Sequence, residues 1–147
     1  MTGTSGRALR GRALVAGAAR GRAVVLAEPL SFWGGFDPSS GRVVDERHPQ
    51  VGNVLSGQVL LMHSGRGSSS SSSVLAEAIR AGTAPVATVL AHPDEILALA
   101  ALVARELYGL THPVVVLDEA DYSSIASGDV LEIAAHDQSA RVIVVET

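Results

Sequence analysis

A short apolar segment that leads into a serine-rich loop and then into a helical pattern is the strongest constraint on the fold of this chain. Residues 59–62 are apolar and short, as expected of a buried strand. Gly65 and Gly67 flank Arg66, and six consecutive serines follow before an amphipathic stretch at residues 74–79. Since a helix N-terminus directs free N–H groups and a positive partial charge toward the preceding loop, this pattern predicts an anion-binding loop between strand and helix.

The serine run also has a simpler interpretation as a flexible linker between two domains. It would then separate segments of 67 and 74 residues, but the sequence after it continues the same alternation of helix and strand. We therefore predict that residues 11–147 form a single domain. Residues 1–10, which are small and polar at their start, are predicted to be a flexible N-terminal tail.

Residues 58–117 alternate between strand-like and helix-like segments, which indicates parallel βαβ units. Residues 85–90 and 112–117 are apolar and predict two further strands. The helical pattern between them begins after Asp94, a preferred N-cap residue type, and ends at Gly109, a preferred residue type beyond a helix C-terminus.

The two ends of the chain are rich in strand-like segments. Residues 12–16 and 22–27 predict a β-hairpin or two neighbouring strands, with a turn at residues 17–21. Residues 130–134 and 141–145 predict a second, antiparallel hairpin. Strand-rich ends around an α/β centre favour a β/β/α layered fold over a doubly wound sheet.

Composition excludes several classes of site. The chain has no cysteine, so it provides no disulfide, no cysteine nucleophile and no cysteine ligand for an iron–sulfur cluster. All 11 basic residues are arginine, which excludes a lysine Schiff base and a P-loop lysine. The net charge of −4 argues against general nucleic-acid binding, and no apolar run is long enough for a transmembrane helix. The five histidines lack metal-ligand spacing, so we expect no metal site in this chain. The absence of cysteine favours a cytoplasmic location.

Two features remain open to more than one interpretation. His48 is either a proton carrier or a loop histidine with a structural role. The arginines near the N-terminus form either a solvated strand face or a docking surface for an acidic partner. These arginines are Arg7, Arg10, Arg12, Arg20 and Arg22.

Several stretches taken together resemble one known family. They are Glu28 to Pro38 with its Phe-Trp-Gly-Gly-Phe sequence, His48-Pro49-Gln50, Gly65 to Ser70, Val74 to Glu77 and Ala104 to Gly109. This set resembles the swivelling small subunit or domain of the aconitase X family. The resemblance implies a swivelling β/β/α domain of aconitase type, which closes over the substrate bound by a larger subunit.

The resemblance also implies a chemistry and a partner. Members of the family are dehydratases of hydroxy acids, with cis-3-hydroxy-L-proline and a phosphorylated mevalonate as substrates; the aromatic and serine loops favour the proline substrate. The larger aconitase X-type subunit holds an iron–sulfur cluster that takes the leaving hydroxyl, so this chain is expected to bind no cofactor itself. Neither nucleic acid nor membrane is an expected partner.

The family's proton-abstracting serine follows a glycine–arginine or lysine–glycine motif, and that position is Ser68. Ser69 is the alternative base, because the serine run makes Ser68 and Ser69 hard to distinguish. A second departure from the family pattern is His63, which stands where proline is expected. Substrate binding is assigned to residues of the same loop and to two aromatic residues that line either the closed site or the subunit interface. These residues are Arg66, Gly67, Ser69, Ser70, Phe32 and Trp33.

Two rival functions are compatible with parts of the sequence. A phosphohistidine-type swivelling carrier needs a histidine in the loop before a helix, but serines occupy that place and His63 lies on the strand side of Gly65. A non-catalytic regulatory subunit would use the same anion-binding loop, with Arg66 essential and Ser68 dispensable.

Overall fold

The computed structural model describes residues 6–66 and 70–146, and parallel strands lie at its centre. Within these residues, seven strands close into a barrel in the order β1-β7-β6-β5-β2-β8-β9. The barrel strands are β1 (Gly6–Val15), β2 (Gly17–Val25), β5 (Val59–Met62), β6 (Ala87–Leu90), β7 (Val114–Val116), β8 (Val130–His136) and β9 (Ser139–Val145). The remaining elements are α1 (Phe32–Gly35), β3 (Phe36–Asp37), β4 (Arg42–Val43), α2 (Ser70–Ala81), α3 (Glu95–Tyr108) and α4 (Glu119–Ser123).

The barrel combines a parallel half with an antiparallel half. Strands β2, β5, β6 and β7 are mutually parallel neighbours, as βαβ connections require. Strands β8 and β9 form an antiparallel hairpin, and β8 pairs with β2. The long β1 closes the barrel, because its first part pairs with β9 and its last part with β7.

Alternate residues of β5 face two separate cores. Val59 and Leu61 pack inside the barrel with residues from all of its strands. Leu60 and Met62 face outward and pack under α2 and α3. Leu75 of α2 belongs to the same cluster. The continuous apolar run in β5 follows from burial on both faces. The predicted α/β fold with central βαβ units and strand-rich ends is confirmed.

The N-terminal strands differ from the prediction. Residues 6–10, assigned to a flexible tail, are the start of β1 and pair with β9; residues 1–5 lie outside the described residues. Residues 17–21, assigned to a turn, belong to β2 and pair with β8. The predicted hairpin between the first two strands is wrong as well, since β1 and β2 pair with other strands. Glycine and alanine have low strand propensity, so pairing with β8 and β9 decides the conformation here.

The helix boundaries follow from local capping. The Asp94 carboxylate accepts hydrogen bonds from the backbone N–H groups of Ile96 and Leu97, at 2.9 and 3.0 Å, which confirms the predicted N-cap of α3. Gly109 ends that helix in the left-handed conformation. Helix α4 begins at Glu119, because the Asp118 carboxylate caps it by accepting a hydrogen bond from the backbone N–H of Asp121 at 2.8 Å. Among the described residues, no helix has the length and apolar character needed to cross a membrane.

A buried histidine should make the stability of this fold sensitive to acid. His112 is 1% exposed and hydrogen-bonded to the Thr88 hydroxyl at 2.9 Å, and burial lowers its pKa from 6.5 to about 4. Because the unfolded chain takes up the proton first, the stability present above pH 6.5 is lost as the pH falls toward 4. From this shift we expect roughly 2 kcal/mol less stability at pH 5 than at pH 7.5.

Urea unfolding at both pH values tests this expectation on the wild type and His112→Gln, whose side chain does not titrate. The variant should lose most of this acid sensitivity. His136→Gln is the matched control, since His136 is exposed at the β8–β9 turn and its replacement should leave the pH dependence unchanged. Equal pH dependence in the wild type and His112→Gln would contradict the assignment.

Candidate active site at the carboxyl edge of the parallel strands

The carboxyl ends of β5, β6 and β7 meet at one edge of the barrel, and each strand is followed by a loop and a helix. The loops carry Ser64 to Arg66 after β5, His92 to Asp94 after β6 and Asp118 after β7. Helices α2, α3 and α4 therefore all begin at this edge. In open and closed α/β sheets alike, ligands bind where strands end and helix N-termini point.

The loop after β5 is held by its neighbours on two sides. The backbone N–H groups of Ala91 and His92 both donate to the His63 carbonyl oxygen, at 3.0 and 2.8 Å. Gly65 packs directly on the N-cap of α3, so that a Cβ added there would lie 2.9 Å from Asp94 Cγ and even closer to one carboxylate oxygen. Only glycine fits at this position without displacing Asp94.

Arg66 is exposed at the end of this ordered part of the loop. Its backbone forms an isolated parallel bridge with Ser31, which joins the loop to the segment before α1. Among the described residues its guanidinium forms no ion pair. Arg66 therefore places a cation at the edge where α2 begins.

The residues assigned to catalysis and substrate binding fall in different places. Ser68, Gly67 and Ser69 lie outside the described residues. Ser70 is exposed and is the first residue of α2. Arg66 and Ser70 are the described residues that precede and follow this segment in the sequence.

The two aromatic residues assigned to substrate binding have opposite environments. Phe32 is fully buried, with its ring centroid 5.0 Å from that of Phe36, so it belongs to the core and does not line an open site. Trp33 is 63% exposed. Its backbone N–H donates to the buried Ser71 hydroxyl at 3.3 Å, which links this exposed ring to the first turn of α2.

A cluster that sequence reasoning missed lies at the same edge. His63 Nε2 is 3.4 Å from one oxygen of Glu119, and His92 Nε2 is 3.5 Å from the other. The His63 ring packs on the Tyr122 ring, with centroids 4.6 Å apart. Burial raises the pKa of the Tyr122 phenol, and the nearby Glu119 carboxylate raises it further. The available signal was position, since each of the three polar residues follows a predicted parallel strand by one to three residues.

His48 has a structural role away from this edge. Its Nδ1 accepts a hydrogen bond from the backbone N–H of Gln50 at 3.0 Å, so its Nε2 carries the proton and lies 2.9 Å from the Glu28 carbonyl oxygen. Both ring nitrogens of the buried imidazole are therefore used to hold the loop. This arrangement supports the loop-histidine interpretation over the proton carrier.

The described residues offer no set of ligands arranged for an iron–sulfur cluster or a metal ion. The sequence contains no cysteine, and the described residues include no group of three or more histidine, aspartate or glutamate side chains arranged to hold a metal. The cluster expected for the family would need ligands from another chain or domain.

Comparisons with known proteins agree with this architecture. The family model for the aconitase X swivel domain matches residues 8–143. The cis-3-hydroxy-L-proline dehydratase of Pseudomonas aeruginosa is 51% identical over 108 residues, which cover 74% of this chain and 19% of that enzyme. The phosphomevalonate dehydratase small subunit of Methanosarcina acetivorans is 33% identical over 126 residues, covering 85% and 83% of the two chains.

A solved structure shows the same fold. The crystal structure of holo-form aconitase X from Thermococcus kodakaraensis matches with a TM-score of 0.80 and 30% identity, over 94% of this chain and 99% of that chain. This chain therefore spans about a fifth of the length of the hydroxyproline dehydratase it matches but most of a relative named as a small subunit.

Proposed function

The chain belongs to the aconitase X swivel-domain family, and we propose that it is the small, swivelling subunit of a two-part hydro-lyase that dehydrates cis-3-hydroxy-L-proline. The observation that carries the proposal is the loop at the carboxyl edge, where Arg66, which forms no ion pair with the residues that the structure describes, precedes the start of α2. Such a loop suits the carboxylate of a hydroxy acid. Relatives named as dehydratases support the reaction class.

The proposed roles of this chain's residues follow from that placement. Arg66 and the first N–H groups of α2 bind the substrate carboxylate. Ser68 takes the proton from the carbon next to the carboxylate, the C–H electron pair forms the double bond, and the hydroxyl on the adjacent carbon leaves. The hydroxyl combines with a proton to give water, so the reaction is balanced without an oxidant or reductant. Any iron–sulfur cluster of the assembly would be held by the large subunit, because this chain has no cysteine.

A phosphorylated mevalonate is the second candidate substrate. The relatives with that name are separate small subunits of comparable length, and this chain covers 83% of the one from M. acetivorans. Identity favours the first candidate, at 51% to the hydroxyproline dehydratase against 33% to that small subunit. The two substrates differ in charge, since one is a zwitterion and the other carries a phosphate.

Turnover by the reconstituted enzyme tests the proposal. The chain is mixed anaerobically with its cysteine-bearing large subunit, and loss of cis-3-hydroxy-L-proline or phosphomevalonate is followed. We expect turnover of the proline substrate by the mixture and no turnover by this chain alone. Turnover of phosphomevalonate only would support the second candidate. Dehydration by this chain without a partner would contradict the proposed division into two subunits.

A further inference from the structure

We propose that Glu119, held between His63 and His92, binds the positively charged nitrogen of an amino-acid substrate and thereby selects it over a phosphorylated hydroxy acid. This inference rests on the proposed function for the reaction. It adds the residue that determines substrate class, which neither the fold nor the names of the relatives assign.

The geometry presents the Glu119 carboxylate as a prearranged acceptor. Each of its oxygens faces one imidazole, at 3.4 Å for His63 and 3.5 Å for His92. His63 is fixed from behind by Tyr122 and through its carbonyl oxygen by the backbone of the loop after β6. Each carboxylate oxygen has two lone-pair directions, so one imidazole contact per oxygen leaves acceptor capacity for an ammonium group.

Of the other carboxylates at this edge, two cap helices and two lie in helix first turns, as Glu119 itself does. Asp94 and Asp118 each accept hydrogen bonds from backbone N–H groups as N-caps. Glu95 and Asp121 are the remaining acidic residues in the first turns of α3 and α4. Glu119 differs from these carboxylates because each of its two oxygens faces a histidine side chain. These histidines, His63 and His92, follow two other strands of the barrel.

The charges at this edge match a zwitterion. Arg66 supplies a positive charge for a substrate carboxylate, and Glu119 supplies a negative charge for a substrate ammonium. The ring nitrogen of cis-3-hydroxy-L-proline is a secondary ammonium bonded to the same carbon as the carboxylate. A phosphate group would instead meet the carboxylates of Glu119, Asp94 and Asp118, and like charges in a closed site repel strongly.

Binding of two unreactive ligands isolates this contact. L-proline and cyclopentanecarboxylate share the ring and the carboxylate, but only L-proline has the ammonium, and neither has a hydroxyl to lose. Their affinities for the reconstituted complex are measured by calorimetry for the wild type and for Glu119→Gln. We expect the wild type to prefer L-proline. In Glu119→Gln, loss of a hydrogen bond between charged groups should weaken L-proline by about 10- to 100-fold and leave cyclopentanecarboxylate within about twofold.

Two further variants serve as controls. Glu106→Gln removes the same charge from the exposed last turn of α3, far along the helix from this edge, and should alter neither affinity. His92→Asn removes one of the two side chains that hold Glu119 and should weaken L-proline by less than Glu119→Gln does. Unchanged cyclopentanecarboxylate binding in each variant also shows that the complex is folded.

The outcomes separate this inference from the proposed function. Equal losses for the two ligands, no loss in Glu119→Gln, or failure of the wild type to prefer L-proline would each overturn the inference. Phosphomevalonate binding that is no tighter in Glu119→Gln than in the wild type would overturn it as well, because removal of the charge should relieve the repulsion of the phosphate. If the predicted loss of L-proline binding is found but the wild-type complex fails to dehydrate cis-3-hydroxy-L-proline, the inference stands and the proposed reaction fails.

Discussion

Replacement of Ser68 by alanine is expected to lower kcat of the reconstituted complex by about a thousandfold, within the range found for loss of a general base. KM should change little, because the substitution leaves in place the carboxylate contacts proposed for Arg66 and α2. Steady-state kinetics with cis-3-hydroxy-L-proline measures both constants. Exchange of the substrate's α-hydrogen with deuterated solvent gives a second readout, and it should be lost in parallel.

The physical chemistry of a serine base explains why the partner is needed. An aliphatic hydroxyl ionises with a pKa near that of water and far above neutral pH, so formation of an alkoxide at neutral pH costs about 11 kcal/mol. A helix N-terminus contributes at most about 2 kcal/mol of this. The rest must come from the closed site, or proton transfer must be concerted so that free alkoxide never accumulates. This chain alone should therefore be inactive.

Ser69→Ala is the matched control, because it removes the same hydroxyl from the neighbouring position. Because Ser69 is also assigned to substrate binding, its loss should raise KM, but kcat should stay within about threefold of the wild type if Ser68 is the base. The reverse pattern would move the assignment to Ser69. Full activity in both variants, with activity lost on Arg66→Gln, would instead support a subunit that binds the carboxylate and closes the site without taking part in proton transfer.

Local chemistry made the α/β centre predictable. Asp94 and Gly109 mark the ends of α3 through a side-chain cap and a left-handed C-terminus, both of which depend on a few adjacent residues. The closure of the barrel was not predictable in this way. It depends on β1 pairing with two strands from the far end of the chain, at positions filled largely by glycine, alanine and arginine.

The candidate site shows the same division. The loop after β5 could be identified from its own sequence, because the glycines, arginine and serines are adjacent. Phe32 and Trp33 are neighbours in the sequence with opposite burial, which depends on the tertiary packing around them and not on their residue types. Glu119 meets His63 and His92 only because three parallel strands end side by side, so their contact depends on topology and not on spacing along the chain.

Replacement of Gly65 by alanine should impair both the catalytic loop and the helix beside it. The added Cβ would lie 2.9 Å from Asp94 Cγ and 3.3 Å from a Leu97 methyl group, so either the loop or the Asp94 side chain must move. Displacement of a catalytic loop by about 1 Å can reduce activity about a hundredfold. Loss of the cap should lower the free energy of unfolding by about 1 kcal/mol. Turnover of the complex and urea unfolding of the chain measure the two effects.

A second substitution tests whether the contact with Asp94 is the cause. Asp94→Gly removes the carboxylate. Glycine is itself tolerated as an N-cap, so this substitution should lower the free energy of unfolding by only a few tenths of a kcal/mol, both in the wild type and in Gly65→Ala. The double variant Gly65→Ala/Asp94→Gly should therefore recover activity to within about tenfold of the wild type, since the flexible end of Leu97 can yield. If the double variant is as impaired as Gly65→Ala alone, the contact between Gly65 and Asp94 is not what positions the loop after β5.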